Sequence, residues 1–148
     1  MEISSSAIRR LPDWRGRLFA YVEEVARKPF TWGHHDCALF AAGAVEAMTG
    51  HDIAAPFRAR YKTLPGGMRL LKRKGSRDHA EYAASIFEEI HPSHAQVGDL
   101  AAIDDDGHIA LGVVQGARIY VLRPEARGIG TVELLHAARA FRVPFATT

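Results

Sequence analysis

The residues with the clearest chemical potential in this 148-residue chain are its single cysteine, Cys37, and the aspartate before it. Asp36 is a favourable N-cap for the apolar stretch that runs from Cys37 to Thr49, because its side chain can accept hydrogen bonds from first-turn amides. A cysteine at a helix N-terminus has a stabilised thiolate, and a neighbouring cation lowers its pKa further. The pattern therefore predicts a nucleophilic thiol that requires a base.

His108 is the base that the sequence predicts. It directly follows the turn-forming Gly107 and so opens a predicted strand, in which alternation places it on one face with the small residues Ala110 and Gly112. We expect the helix that begins at Cys37 to pack on this small face and to bring the sulfur within hydrogen-bond reach of the imidazole. Such a pair activates the thiol and later protonates the leaving group.

Other interpretations of the same residues remain open. A cysteine in an apolar helix is often only a small core residue, and a histidine at the start of a strand is often only a polar residue on the surface. His34, His35, Cys37 and His108 lack the regular spacing of zinc-binding motifs. We therefore expect no metal and no other cofactor.

The elements that must position these residues follow from hydrophobic periodicity. Leu11 to Arg27 has apolar residues at helical spacing, and Cys37 to Met48 is apolar almost all round, which predicts a central core helix. A short basic helix is predicted over Met68 to Lys74, bracketed by glycines. Another helix is predicted over His79 to Ile90.

After these helices the pattern changes to short segments rich in β-formers. Val97 to Ile103, His108 to Val114 and Ile119 to Leu122 are separated by turn-like residues and predict an antiparallel meander. The tail, Val132 to Pro144, is expected to add a short helix and a last strand around Ala140 to Val143. Helices followed by a sheet predict an α+β fold, with the cysteine-bearing helix packed on a C-terminal antiparallel sheet.

Length and composition are those of one domain, spanning 1–148, with 47% hydrophobic residues. A single cysteine excludes an internal disulfide. The N-terminal residues lack the features of a secretion signal, and no apolar run is long enough to span a membrane. We expect synthesis in the cytoplasm without a signal peptide, and no membrane span.

Positive charge is concentrated in one region, although the net charge is only +2. The region from 53 to 77 has no acidic residue and predicts a basic surface, either a solvated face or a contact for an acidic partner. No aromatic residues are interleaved for base stacking, so no nucleic-acid partner is expected. The cations of this basic segment, 58–77, are Arg58, Arg60, Lys62, Arg69, Lys72, Arg73, Lys74 and Arg77.

The order of these motifs resembles that of the NlpC-type papain-like cysteine peptidases, which cut peptide stems of the bacterial cell wall. A Pro-aromatic stretch and Gly33 precede Asp36-Cys37, a Gly98-Asp99-Leu100 strand follows, and His108 opens the next strand. The chain looks more specifically like compact NlpC-like proteins of phage and prophage tail modules. That likeness rests on the segments Trp32–Phe40, Thr49–Asp52 and Arg60–Thr63.

This resemblance implies a papain-like fold in which Cys37 attacks the scissile carbonyl and His108 serves as base and then as acid. The third, histidine-orienting position is occupied by Tyr120. Phe30 stands where the family usually has an aromatic hydroxyl near the oxyanion. Substrate contacts are implied for Trp32, Asp36 and Phe30.

The implied function is a peptidoglycan peptide hydrolase at a phage-like tail tip. Its implied partners are peptide stems and tail hub proteins, and it would be carried in a virion or phage-like tail and act in the periplasm. Two alternatives share the fold. One is a catalytically weak or inactive structural component of the tail tip, and the other is acyl or amide transfer to a small amine by the same thiol.

Overall fold

Most of the predicted elements are present in the computed structural model, which describes residues 8–124 and 127–146. The helices are α1 (Trp14–Val25), α2 (Cys37–Thr49), α3 (Leu64–Arg73) and α4 (His79–Ile86). The strands are β1 (Glu88–Ile90), β2 (Leu100–Asp105), β3 (His108–Val114), β4 (Arg118–Val121), β5 (Gly130–Glu133) and β6 (Ala137–Arg142). Single turns of 3-10 helix lie at Pro92–His94 and Leu134–His136.

The six strands form one antiparallel sheet in the order β1-β6-β2-β3-β4-β5. The main core lies between one face of this sheet and the helices, with α2 in its centre, where Phe40, Val45 and Met48 are fully buried. The predicted α+β class, with the cysteine-bearing helix packed on an antiparallel sheet, is confirmed.

The first helix is shorter than predicted, Trp14–Val25 instead of Leu11 to Arg27, and two other helices differ more from their predicted bounds. The helix predicted to reach Ile90 ends at Ile86, since Phe87 is already extended and the next three residues pair with β6 as strand β1. The basic helix begins at Leu64, because the Thr63 side chain caps its first turn by accepting from the Gly66 amide at 3.1 Å. The glycines expected to precede this helix therefore lie within it.

The sheet is larger than the predicted meander. β1 and β5 were not predicted, and each is a short edge strand with exposed residues and no alternating apolar pattern. β5 acquires its conformation from pairing with β4, with Ile119 opposite Val132. Pairing with a neighbouring strand thus forms strands that the local sequence pattern does not predict.

The Gly98-Asp99-Leu100 motif has a structural role. Asp99 is fully buried, and its two oxygens accept from Arg10 Nη2 at 2.8 Å, Arg142 Nε at 3.0 Å, and two backbone amides. Gly98 has φ +90°, and a Cβ there would lie 2.7 Å from Arg10 Nη1. The motif therefore joins the N-terminal segment to the start of β2 and the end of β6.

Candidate active site

Cys37 occupies the first position of α2, and Asp36 caps the helix as predicted. Asp36 Oδ1 accepts from the Leu39 amide at 3.0 Å, and Oδ2 accepts from the Gly33 amide at 3.0 Å. These bonds explain why an aspartate directly precedes Cys37. Its carboxylate accepts hydrogen bonds from backbone amides that have no partner within the helix at its start. The side chain that should react is nevertheless enclosed, because Cys37 is only 5% exposed.

Tyr61 is a site residue whose contact with the cap was not predicted. Its hydroxyl donates to Asp36 Oδ2, and Gly33 lies directly against its backbone carbonyl. Phe30 cannot supply a hydroxyl near Cys37, and Tyr61 brings one to the start of α2 from a distant part of the chain. No local pattern signals such a contact, because 25 residues separate Tyr61 from Asp36.

The thiol of Cys37 is held in its protonated form. Burial, followed by the negative charge of Asp36, raises its pKa to about 12, although the backbone amides of Leu111 and Ala38 act in the opposite direction. The expected stabilisation of a thiolate by the helix start is therefore wrong for this arrangement. Desolvation of the charged sulfur outweighs the helix dipole.

Substitution Asp36→Asn is expected to lower the pKa of Cys37. The amide oxygen still accepts from the Leu39 N–H, but the charge that disfavours the thiolate is removed. The pH midpoint of Cys37 alkylation by iodoacetamide measures this, and each unit of decrease raises the thiolate fraction about tenfold at a given pH. Tyr61→Phe is the matched control, because it removes a hydroxyl from the cap but leaves the Asp36 charge. An unchanged midpoint in Asp36→Asn would contradict the electrostatic explanation.

His108 opens β3, but α2 does not pack on its face of the sheet. The face toward α2 carries Leu111 and Val113, whereas a Cβ on Gly112 would meet Ile119 and Val121 on the opposite face. The expectation that α2 approaches the small face of β3 is therefore wrong. Larger apolar residues fill the helix-facing side because burial there stabilises the core. The catalytic role of His108 stays a prediction.

Tyr120 lies on the other face from His108. It pairs with Val113 and packs against the main core, whereas His108 alternates with the residues of the second, smaller apolar cluster. β4 pairs with β3 only at its far end, opposite Val113 and Val114. The structure thus does not bring Tyr120 to the imidazole that it was expected to orient.

The remaining predicted residues lie in the segment directly before α2. Phe30 and Trp32 pack edge to face with their ring centroids 4.6 Å apart, and both are partly buried. His34 is exposed, whereas His35 is buried and its Nε2 has no partner among the described residues. Within residues 8–124 and 127–146, no three potential ligand side chains are grouped to hold a metal ion.

His79 is a second residue that was not predicted at this site. It is the first residue of α4, and its Nδ1 lies 3.2 Å from the carbonyl oxygen of Ile109 in β3. Burial lowers its pKa, so the ring is neutral near pH 7. A small apolar cavity of about 40 Å³ lies beside it and is also lined by Ala38, Tyr61 and Leu111.

The fold is that of an NlpC/p60 domain. A comparison with solved structures matches the chain to the crystal structure of the NlpC/p60 domain of the peptidoglycan hydrolase SagA, with a TM-score of 0.55 and 17% sequence identity. The match covers 95% of this chain and 99% of the SagA domain chain. At this identity the likeness establishes the fold alone.

The chain belongs to the family described as "Domain of unknown function (DUF6950)", whose model matches residues 9–143. A comparison with curated proteins finds no match. Among the described residues, the helices are too short or too polar to cross a bilayer.

Proposed function

We propose that this protein is a thiol hydrolase that cleaves peptide bonds in peptidoglycan. The observation that carries the proposal is the position of Cys37, at the capped start of a central helix and against the backbone of β3, in an NlpC/p60 fold. The SagA domain is part of a peptidoglycan hydrolase. A nucleophile at a helix start, with backbone amides around it, suits attack on an acyl carbon.

Catalysis by this thiol requires proton transfer to a base, because Cys37 is neutral in the structure. A neutral imidazole that accepts the proton during attack avoids forming a free thiolate in a buried site. His108 is the base predicted from sequence. The thiol is also enclosed, so we propose that substrate binding displaces the loop between Phe30 and Asp36, which directly precedes Cys37.

The test is release of free amino groups from purified peptidoglycan. We expect the native chain to release them and Cys37→Ala to reduce the rate on the order of 10⁴-fold or more, as expected when a nucleophile is removed. His34→Ala is the matched control, since it alters an exposed residue of the same loop and should retain the native rate. Retained hydrolysis by a folded Cys37→Ala variant would refute the proposal.

A second candidate function is a catalytically silent structural component of a phage-like tail tip. The observation that favours it is the enclosure of Cys37, which is only 5% exposed, because burial raises the pKa of the thiol, whereas an activated cysteine has a lowered pKa. The exposed cations of the basic segment would then contact tail hub proteins. In either case we propose synthesis in the cytoplasm, incorporation into a phage-like particle and action in the periplasm.

Charge reversal distinguishes this structural function from catalysis. Arg69, Lys72 and Arg73 are exposed along α3, and changing them to glutamate should impair assembly if the basic segment binds a tail partner. Cys37→Ala should then leave assembly and infectivity unchanged. Loss of infectivity in Cys37→Ala, with particles still assembled, would favour the hydrolase.

A further inference from the structure

The edge of β3 beside Cys37 carries backbone groups that β4 does not use. β4 pairs with β3 at Val113 and Val114, and the Gln115 amide donates to the Arg118 carbonyl at 2.8 Å. Odd-numbered residues of β3 therefore direct their backbone groups toward the β4 side. Ile109 and Leu111 lie on the same edge, beyond the residues that pair with β4. Their backbone amide and carbonyl groups are therefore available to side chains.

Two helices place chemically active side chains on this free edge. The Leu111 amide lies close enough to the Cys37 sulfur to act on the pKa of the thiol, and the Ile109 carbonyl accepts from His79 Nδ1 at 3.2 Å. Ile109 and Leu111 are two residues apart on an extended strand, a span of about 6.6 Å. The backbone groups that Cys37 and His79 approach are therefore neighbours on one edge of β3, and Ala38, which follows Cys37 in the chain, lines one cavity together with His79.

The contact with Ile109 determines the tautomer of His79. A carbonyl oxygen only accepts hydrogen bonds, so Nδ1 carries the ring proton and Nε2 keeps its lone pair. Nε2 has no hydrogen-bond partner among the described residues. Burial keeps the ring neutral, and the charged or titratable groups near it are Asp36, Asp78 and His108. The imidazole is thus in the form that accepts a proton.

We propose that His79 is the imidazole that takes the proton from Cys37, and this rests on the proposed hydrolase function. His108 starts the same strand but alternates onto the opposite face, whereas His79 approaches from the helix side, where Cys37 lies. During attack the sulfur forms a bond to the carbonyl carbon, the carbonyl π electrons move to oxygen, and the thiol proton moves to Nε2.

The second half of the reaction uses the same nitrogen. The proton on Nε2 passes to the departing amine as the carbon–nitrogen bond breaks and leaves a thioester on Cys37. Water then attacks this thioester and Nε2 accepts one of its protons. The carbonyl re-forms as the carbon–sulfur bond breaks, and the proton on Nε2 passes to the departing sulfur. Throughout both halves the Ile109 carbonyl holds Nδ1, so that the ring keeps its orientation.

The proposal is tested by the pH dependence of peptidoglycan hydrolysis in His79→Gln and His108→Gln. We expect His79→Gln to lower the rate by roughly 10²–10⁴-fold and to remove the decline of the rate at acidic pH that protonation of the base causes. His108→Gln should keep that decline at acidic pH, because the titrating base is still present. Thermal unfolding of both variants establishes that they are folded.

A second measurement uses the unaltered chain. The ¹⁵N chemical shifts of the His79 ring should show a proton on Nδ1 and none on Nε2, and the opposite tautomer would overturn the proposal even if His79→Gln does not fold. A normal rate in His79→Gln with an inactive His108→Gln would overturn the role of His79 and leave the hydrolase function intact. Absence of hydrolysis by the native chain, or its persistence in Cys37→Ala, would overturn both.

Discussion

Substitution Asp99→Asn is expected to lower the free energy of unfolding by about 3–5 kcal/mol, the range for breaking a buried ion pair by altering one partner. All four groups around the Asp99 carboxylate are donors: Arg10, Arg142 and the amides of Gln96 and Val143. An asparagine at this position would place its NH₂ group, itself a donor, against donors on one side, where no hydrogen bond can form.

The Arg10 side chain makes the substitution more costly, because it has no exposed surface. Burial already lowers its pKa to about 10, and the charge of Asp99 opposes that effect. Without Asp99, a buried cation loses its only carboxylate partner among the described residues. Urea denaturation measures the change. Glu89→Gln, which alters an exposed pair with Arg139, is the matched control and should change stability little. Equal effects of the two substitutions would contradict the assigned role of Asp99.

Substitution Gly33→Ala is expected to destabilise the fold by at least about 2–3 kcal/mol and to loosen the site around Cys37. Gly33 has φ +82°, a conformation that costs roughly 1–2 kcal/mol for residues with a Cβ. The added Cβ would also lie 2.0 Å from the Tyr61 carbonyl oxygen, so one of the two segments must move. Because Tyr61 donates to the Asp36 cap, we expect faster iodoacetamide alkylation of Cys37 as well as a lower urea midpoint.

The chain contains its own control for this prediction. Gly50 ends α2 with the same φ of +82°, but a Cβ there would meet no atom within 4 Å. Gly50→Ala therefore reports the conformational cost alone, and the difference between the two variants reports the clash with Tyr61. Similar stability losses in both, with unchanged Cys37 alkylation, would contradict close packing of Tyr61 on Gly33.

Local sequence is a good guide to this protein where one segment carries the whole signal. Asp36 caps the helix at Cys37 because cap and amides lie within one turn, and the bounds of β3 follow from β-forming residues between two turns. The family motifs also predicted the NlpC-like fold, which the structural comparison confirms. The phage-tail setting and the catalytic roles stay predictions.

Contacts between distant segments were beyond the reach of local pattern. Alternation correctly groups His108 with Ala110 and Gly112, but it does not say which face of a strand meets a helix. The packing volume around Leu111 and Val113 decides that, because α2 buries the larger apolar side chains. Tyr61 and His79 were missed for the same reason, since their partners Asp36 and Ile109 lie 25 and 30 residues away.

The sequence by itself thus determined the capped helix start, the order of helices and strands, and the presence of a thiol in a family-like position. Only the tertiary structure decided the state of that thiol and the identity of its neighbours. The physical reason is that a pKa depends on desolvation and on charges brought together in space, and burial of Cys37 against β3 exists only after α2 has packed on the sheet.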